Sequence, residues 1–150
     1  MIQLKISLMD ISRLKPHEKY IDDRVEHLIK EIKEDGVLKK PVVAENMYNV
    51  VLDGHHRVEA FKRMGFTTIP VAIVDYRDPR IVVKSWNNGR IYNKEEVLRQ
   101  ALAGKLLPPR TTRHVILLND REFHISEILP ELNIPLEGLE GRLSRVQKGL

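Results

Sequence analysis

Cysteine is absent from the 150-residue chain, which removes disulfides, thiolate metal ligands and any catalytic thiol from consideration. No run of about 18 apolar residues occurs that could span a bilayer, and no charged-then-apolar leader precedes the first elements. A soluble, cytoplasmic protein is therefore expected. Charge of one sign is also lacking. The 25 basic and 21 acidic residues leave a formal +4 and are well mixed, unlike the concentrated basic stripe of many nucleic-acid binders. That balance favours small phosphorylated ligands no less than DNA. There is no internal repeat and no low-complexity tract, and the length suits one domain, residues 1–150, with a real core.

What is present reads as alternating strands and helices. "QLKISLMDISRL" begins as a strand, and "KPHEKY" interrupts it as a loop. In "DDRVEHLIKEIKEDG", Val25, Leu28, Ile29 and Ile32 recur at helical spacing, Asp23 with Glu26 forms a capping box, and Gly36 ends the helix. "KPVVA" and "YNVVL" read as a hairpin. Asp53 and Gly54 turn into a second helix with Val58, Phe61 and Met64 on one face and Gly65 at its end. "TIPVAIVDY" and "RIVVKSW" read as strands, and "NKEEVLRQALAGK" as a helix capped by Asn93 and Glu96 and stopped by Gly104. "LLPPRTTRHVILL" is a proline-stiffened loop leading into an apolar run, and a partly helical tail is expected from about 119. The class is α/β (α+β), with a small mixed sheet flanked by helices.

The stretch "LDGHHR" sets a carboxylate and three cationic or titratable side chains at a helix start. A helix N-terminus carries unpaired amides and the positive dipole end, so a glycine turn entering a helix suits an anion. Gly54 permits close approach, and His55, His56 and Arg57 add donors. Asp53 alone would repel such an anion, whereas magnesium bridging carboxylate and phosphates resolves the conflict. The competing reading has Asp53 capping the helix with the histidines in solvent. Zinc is disfavoured, because adjacent histidines converge poorly on one tetrahedral ion and no thiolate is available.

"LKPHE", "EDGVLKKPVV" and "VVLDGHHRVEAFKRMGFTTIPVAIVDY" together resemble the fold shared by the N-terminal domain of ParB partition proteins and sulfiredoxin. More narrowly, "KPHE", "LDGHHR" and "PPRTTRHV", in that order, look like the free L-serine kinases, above all the archaeal ADP-dependent type. The chain looks like a minimal version, since only "NNGRIY" separates Trp86 from the following helix where those kinases carry a sizeable extra segment. Sulfiredoxin chemistry is excluded, as His55 stands where its catalytic cysteine would be. ParB proteins typically carry arginine at the position of His56 and add a helix-turn-helix domain that this length does not accommodate.

The resemblance implies phosphoryl transfer from ADP, or alternatively ATP, to free L-serine with magnesium, giving O-phospho-L-serine. It marks Glu18 as the base. Asp53 would hold the metal, while Gly54, His55, His56 and Arg57 would bind nucleotide phosphates. Trp86, Thr111, Thr112, Arg113 and His114 would hold the serine. Core packing of Trp86 and local turn bonding by Thr111 and Thr112 are the alternatives. Lys39, Lys40, Lys62 and Arg63 read as a solvated face. A patch among them would favour the competing reading, a ParB-like DNA-binding or nuclease module, and a catalytically silent metabolite sensor is a third possibility.

Overall fold

The computed structural model describes residues 2–86 and 91–139. In chain order the elements are β1 (Lys5–Asp10), α1 (Asp22–Asp35), β2 (Val37–Leu38), β3 (Val42–Glu45), β4 (Val51–Asp53), α2 (His55–Arg63), β5 (Thr68–Val74), β6 (Ile81–Ser85), β7 (Ile91–Tyr92), α3 (Lys94–Leu102), β8 (Thr112–Leu118), β9 (Arg121–His124) and β10 (Ile134–Pro135). The first sheet has the order β1-β5-β3-β4, with β3 and β5 parallel and the remaining pairs antiparallel. A second, antiparallel sheet runs β7-β6-β8-β9, and β10 pairs β2 separately. The small mixed sheet anticipated from the sequence is thus joined by a second sheet.

Alternation along the inner strands makes the layers. Val42, Ala44, Ile69 and Val71 face one apolar cluster with Val25 and Ile32 of α1 and Ala60 and Phe61 of α2. Their neighbours Val43, Ala72 and Val74 face a second cluster with Ile81, Val83 and Ile116 of the other sheet and Val97 and Ala101 of α3. A strand with period-two side chains buried on both faces needs apolar residues at every position, and "VVA" and "IPVAIV" supply them.

Helix α1 starts differently from the capping-box expectation. Its N-cap is Ile21, with no side-chain cap bond. Glu26 and Asp22 are drawn instead to Arg63 at the end of α2, at 2.8 and 2.5 Å, and Glu59 adds a third bond at 3.1 Å. The first two bonds hold the start of α1 to the end of α2, and the third, within α2, orients the Arg63 guanidinium. Gly36 ends α1 in the left-handed region, its N–H donating to the Ile32 carbonyl. Asn93 caps α3 as anticipated, accepting from Glu95 N–H at 2.7 Å.

The segment from 119 starts as a strand rather than a helix. Asn119 and Asp120 both have positive φ, 50° and 62°, the conformation of a tight two-residue hairpin turn that returns β8 into β9. Helical character is limited to a 3-10 turn at Ile125–Ile128 and to residues 136–139; the remainder of the anticipated tail lies outside the described residues. Among the described residues, no helix is long and apolar enough to cross a membrane.

Candidate active site

The "KPHEK" segment is held between the two halves of the fold. Lys15 exchanges main-chain bonds with Asn49 and Val51, while His17 and Lys19 exchange them with Leu107. Residues 15–19 therefore run strand-like from the edge of β4 to the loop before β8, which fixes the direction of Glu18.

The two histidines of "DGHHR" secure the same segment. His55 Nε2 accepts from the backbone N–H of His17 at 3.1 Å and of Glu18 at 3.4 Å, and His56 Nε2 accepts from Ile21 N–H at 3.1 Å. A nitrogen that accepts from an amide carries no proton, so both rings are neutral with the proton on Nδ1. Burial, then the neighbouring His17, His114 and His56, hold His55 well below the usual imidazole value; burial alone lowers His56. Each ring thus has Nδ1–H as its one remaining N–H donor.

Asp53 does not cap α2. The N-cap is Gly54, at φ 103°, with no side-chain cap bond. Asp53 Oδ2 instead accepts from Arg57 Nη2 at 3.0 Å, and Arg57 Nη1 donates to the carbonyls of Lys40 and Pro41 at 3.0 and 2.7 Å. The guanidinium is therefore largely committed to the fold, and it orients the carboxylate. Asp53 Oδ1 lies 3.9 Å from His124 Nε2. Helical bonding in α2 begins with Val58 N–H to the Gly54 carbonyl, so the preceding amides are not used by the helix itself.

Glu18 meets its partners across 94 residues of sequence. Its Oε2 lies 2.8 Å from Thr112 N–H and 2.5 Å from Thr112 Oγ1, and its Oε1 accepts from Arg110 N–H at 3.1 Å. Burial raises the carboxyl above its usual value; the Thr112 and Arg110 bonds oppose that, and the Asp53 charge adds to it. Behind Thr112 lies His17, fully buried, with Nε2 at 2.8 Å from Thr112 Oγ1 and Nδ1 at 2.7 Å from the Val51 carbonyl. Burial brings His17 down to about 4 against the pull of that carbonyl.

One cleft of about 380 Å³ contains Glu18, Asp53, Gly54, His55, His56, Arg57, Trp86, Thr112, Arg113 and His114 on its walls, together with Arg24, Arg110 and His124. Trp86 is half exposed rather than a core residue, with the Arg113 guanidinium 5.7 Å from its ring centre and the His124 ring at 6.0 Å. Arg113 also approaches Glu122 at 3.5 Å. Thr111 is not brought into the cleft: its hydroxyl donates to the Pro108 carbonyl at 2.6 Å, the local turn bond. His114 forms part of the cleft floor, only 1% exposed, its Nε2 engaged with the Tyr76 hydroxyl at 2.8 Å. Its Nδ1 has no hydrogen-bond partner among the described residues.

Residues that sequence reasoning passed over are Arg24, Arg110, His124 and His17. His17 and Arg110 sat inside the quoted motifs. Arg24 reads as an ordinary polar helix position and His124 as part of the tail, so no local pattern marked either. Of the basic residues read as a solvated face, Lys39 pairs with Asp35, Lys40 donates to the Ser126 carbonyl and Arg63 joins the helices.

Among the described residues no group of three or more ligating side chains could enclose a metal. Asp53, with one oxygen held by Arg57 and the other toward the cleft, matches the demand of magnesium that arrives on phosphates and takes only one or two protein carboxylates.

The family model described as the ParB N-terminal domain matches residues 1–86. An ATP-dependent L-serine kinase of Staphylothermus marinus is 34% identical over 83 residues, 53% of this chain and 33% of that protein. The ADP-dependent L-serine kinase SerK of Thermococcus kodakarensis is 29% identical over 83 residues, 52% of this chain and 34% of that protein. The matches thus span about a third of the length of these relatives. A solved structure described as free serine kinase in complex with AMP superposes with a TM-score of 0.74 at 17% identity, covering 92% of this chain and 96% of that one, a likeness of fold.

Proposed function

The chain belongs to the ParB N-terminal domain family, and from its likeness to relatives named as L-serine kinases, taken with the cleft, we propose that it is a small-molecule kinase, transferring a phosphoryl group from ADP or ATP to the hydroxyl of free L-serine. The observation that carries the reading is the Glu18 carboxyl group, held by the Arg110 and Thr112 amides and in contact with the Thr112 hydroxyl, in the same cleft as Asp53 and the N-terminus of α2. Relatives named for ATP and for ADP both support a nucleotide donor and leave its phosphate count to experiment.

The roles follow from what each group still offers. Glu18 Oε1 accepts the serine hydroxyl proton as the serine oxygen attacks the terminal phosphorus. The bond from that phosphorus to the departing nucleotide breaks with its electron pair on the leaving oxygen. Phosphoryl transfer asks the protein mainly for alignment and charge neutralisation. The amides of Gly54 to Arg57 and the remaining Nδ1–H groups of His55 and His56 supply donors, with Arg24 and Arg110 adding positive charge. Asp53 would hold magnesium, which neutralises phosphate charge when bound. Arg113, steadied over Trp86, suits the serine carboxylate. Thr112 positions Glu18 and His114 forms part of the floor, while Thr111 stays outside the cleft in its turn bond to Pro108.

Incubation of pure protein with serine, magnesium and either ADP or ATP is expected to yield O-phosphoserine. Glu18→Ala should abolish the product with the circular dichroism spectrum unchanged. Absence of product with both donors overturns the reading. The competing DNA-binding module would announce itself by affinity for duplex that falls steeply with added salt, and binding of serine or nucleotide without turnover would mark a sensor.

A further inference from the structure

The buried contacts behind Glu18 contain a proton-counting problem. They are three: His17 Nδ1 to the Val51 carbonyl, His17 Nε2 to Thr112 Oγ1, and Thr112 Oγ1 to Glu18 Oε2, at 2.7, 2.8 and 2.5 Å. Each is too short for two lone pairs to face one another, so each gap must hold a proton. A carbonyl only accepts, so His17 Nδ1 is protonated. A neutral His17 then has a bare Nε2, which the Thr112 hydroxyl must fill. That hydroxyl has a single proton and cannot also serve Glu18. With Glu18 ionised and His17 neutral, two protons are available for three gaps.

Two arrangements satisfy all three. In one, Glu18 is a carboxylic acid donating to Thr112, and Thr112 donates to neutral His17. In the other, both protons have moved one hop inward. The O–H bond of Glu18 and the old O–H bond of Thr112 break, and a new O–H on Thr112 and an N–H on His17 Nε2 form. A carboxylate and an imidazolium result, with no atom gained or lost. The imidazolium is paired at 3.7 Å with the carboxylate it created. We propose that His17, Thr112 and Glu18 hold one shared dissociable proton and titrate as a single unit, with His17 receiving that proton when Glu18 acts as a base.

The surroundings are consistent with both forms. The His55 ring stands edge-on to His17 at 4.7 Å and the His114 ring at 5.8 Å, and neither offers the His17 ring nitrogens a competing proton contact. On the cleft side, Glu18 faces the Asp53 charge and the Arg110 amide, the first favouring the acid and the second the carboxylate. Burial disfavours a lone imidazolium, as its lowered proton affinity reflects, so His17 gains charge only together with ionised Glu18. Such groups share macroscopic steps and have no separate constants. His17 touches no substrate in this scheme; it is a positioning residue that acts through Thr112. The proton sharing is a property of the resting protein, and only its use in catalysis rests on the kinase reading.

The test is ring-nitrogen NMR on the full chain, nitrogen-labelled and without substrates, across the pH range in which the fold stays intact. The His17 Nε2 resonance is expected to move in the step where Glu18 loses its proton. Thr112→Val and Glu18→Gln should each erase that movement, and Thr112→Ser should keep it. Should Thr112→Val fail to fold, Glu18→Gln decides alone. A Nε2 resonance indifferent to Glu18 ionisation and unchanged in both variants overturns the proposal. In phosphoserine formation, Thr112→Val should displace the acid limb of the pH profile by about one unit, tenfold in ionised base, with the Ser variant restoring it; an unmoved limb also counts against the sharing. If wild-type protein makes no phosphoserine, the kinase reading alone falls, and the resonance still decides the proton question.

Discussion

Replacing Arg57 by leucine removes the donors that hold the acidic turn in place. The guanidinium donates to the Lys40 and Pro41 carbonyls and pairs with Asp53, with Arg57 and Asp53 side chains 19% and 22% exposed. Each carbonyl that loses a donor but partly rehydrates costs about 0.5–1.5 kcal/mol. The half-screened ion pair adds about 1 kcal/mol, discounted for its solvent contact. The expected loss is about 2–4 kcal/mol. For a chain of this size each kcal/mol lowers Tm by about 2–4 °C, so Arg57→Leu should melt roughly 4–16 °C below wild type. Circular dichroism melts, checked by urea titration with an unchanged m-value, measure it. Asp53→Asn alone should cost about 1 kcal/mol, because Arg57 keeps both carbonyls. The double variant should lose less than the sum of the two, since the pair is counted in each. A Tm for Arg57→Leu within about 2 °C of wild type would refute the assignment of this arginine to the fold.

Acid should weaken the protein through its buried imidazoles. Burial holds His55 and His114 well below the usual imidazole value of 6.5, so the unfolded chain gains protons first as pH falls, and stability present above 6.5 is lost on the way down. The raised Glu18 carboxyl works in the opposite direction, and a urea midpoint that stays flat as pH falls below 6.5 would contradict a net loss. Gly54→Ala places a Cβ at φ 103° with the Val42 Cγ2 at 3.1 Å; a loss of about 2 kcal/mol or more is expected, and an unchanged thermal midpoint would argue against the turn as described. Trp86→Ala should leave stability within about 0.5 kcal/mol, since the ring is half exposed. Kinetics of phosphoserine formation should show KM for serine raised about tenfold, and an unaltered KM would remove Trp86 from the substrate wall.

Local rules were enough for much of this protein. The helices, the β3–β4 hairpin, Gly36 and Gly54 at their turns and the Asn93 cap all follow from spacing, propensity and backbone conformation within a few residues. The β9 strand is encoded locally too, in the positive-φ Asn119-Asp120 turn, whereas the prolines and glycines beyond it have the pattern of a broken helix. The capping box failed because Glu26 has a stronger partner 37 residues away in Arg63. The acidic turn showed in sequence that charge would matter there, but not how it would be used. Whether Asp53 caps, binds or pairs depends on Arg57 reaching the 40–41 carbonyls, and whether the histidines present donors or acceptors depends on which amides cross above them. Hydrogen-bond direction is a property of two partners at about 3 Å. Residue type and spacing specify only one of the two, so the chain order alone determined which groups could enter the cleft, and the packing of the 15–19 segment between the sheets decided what each of them does there.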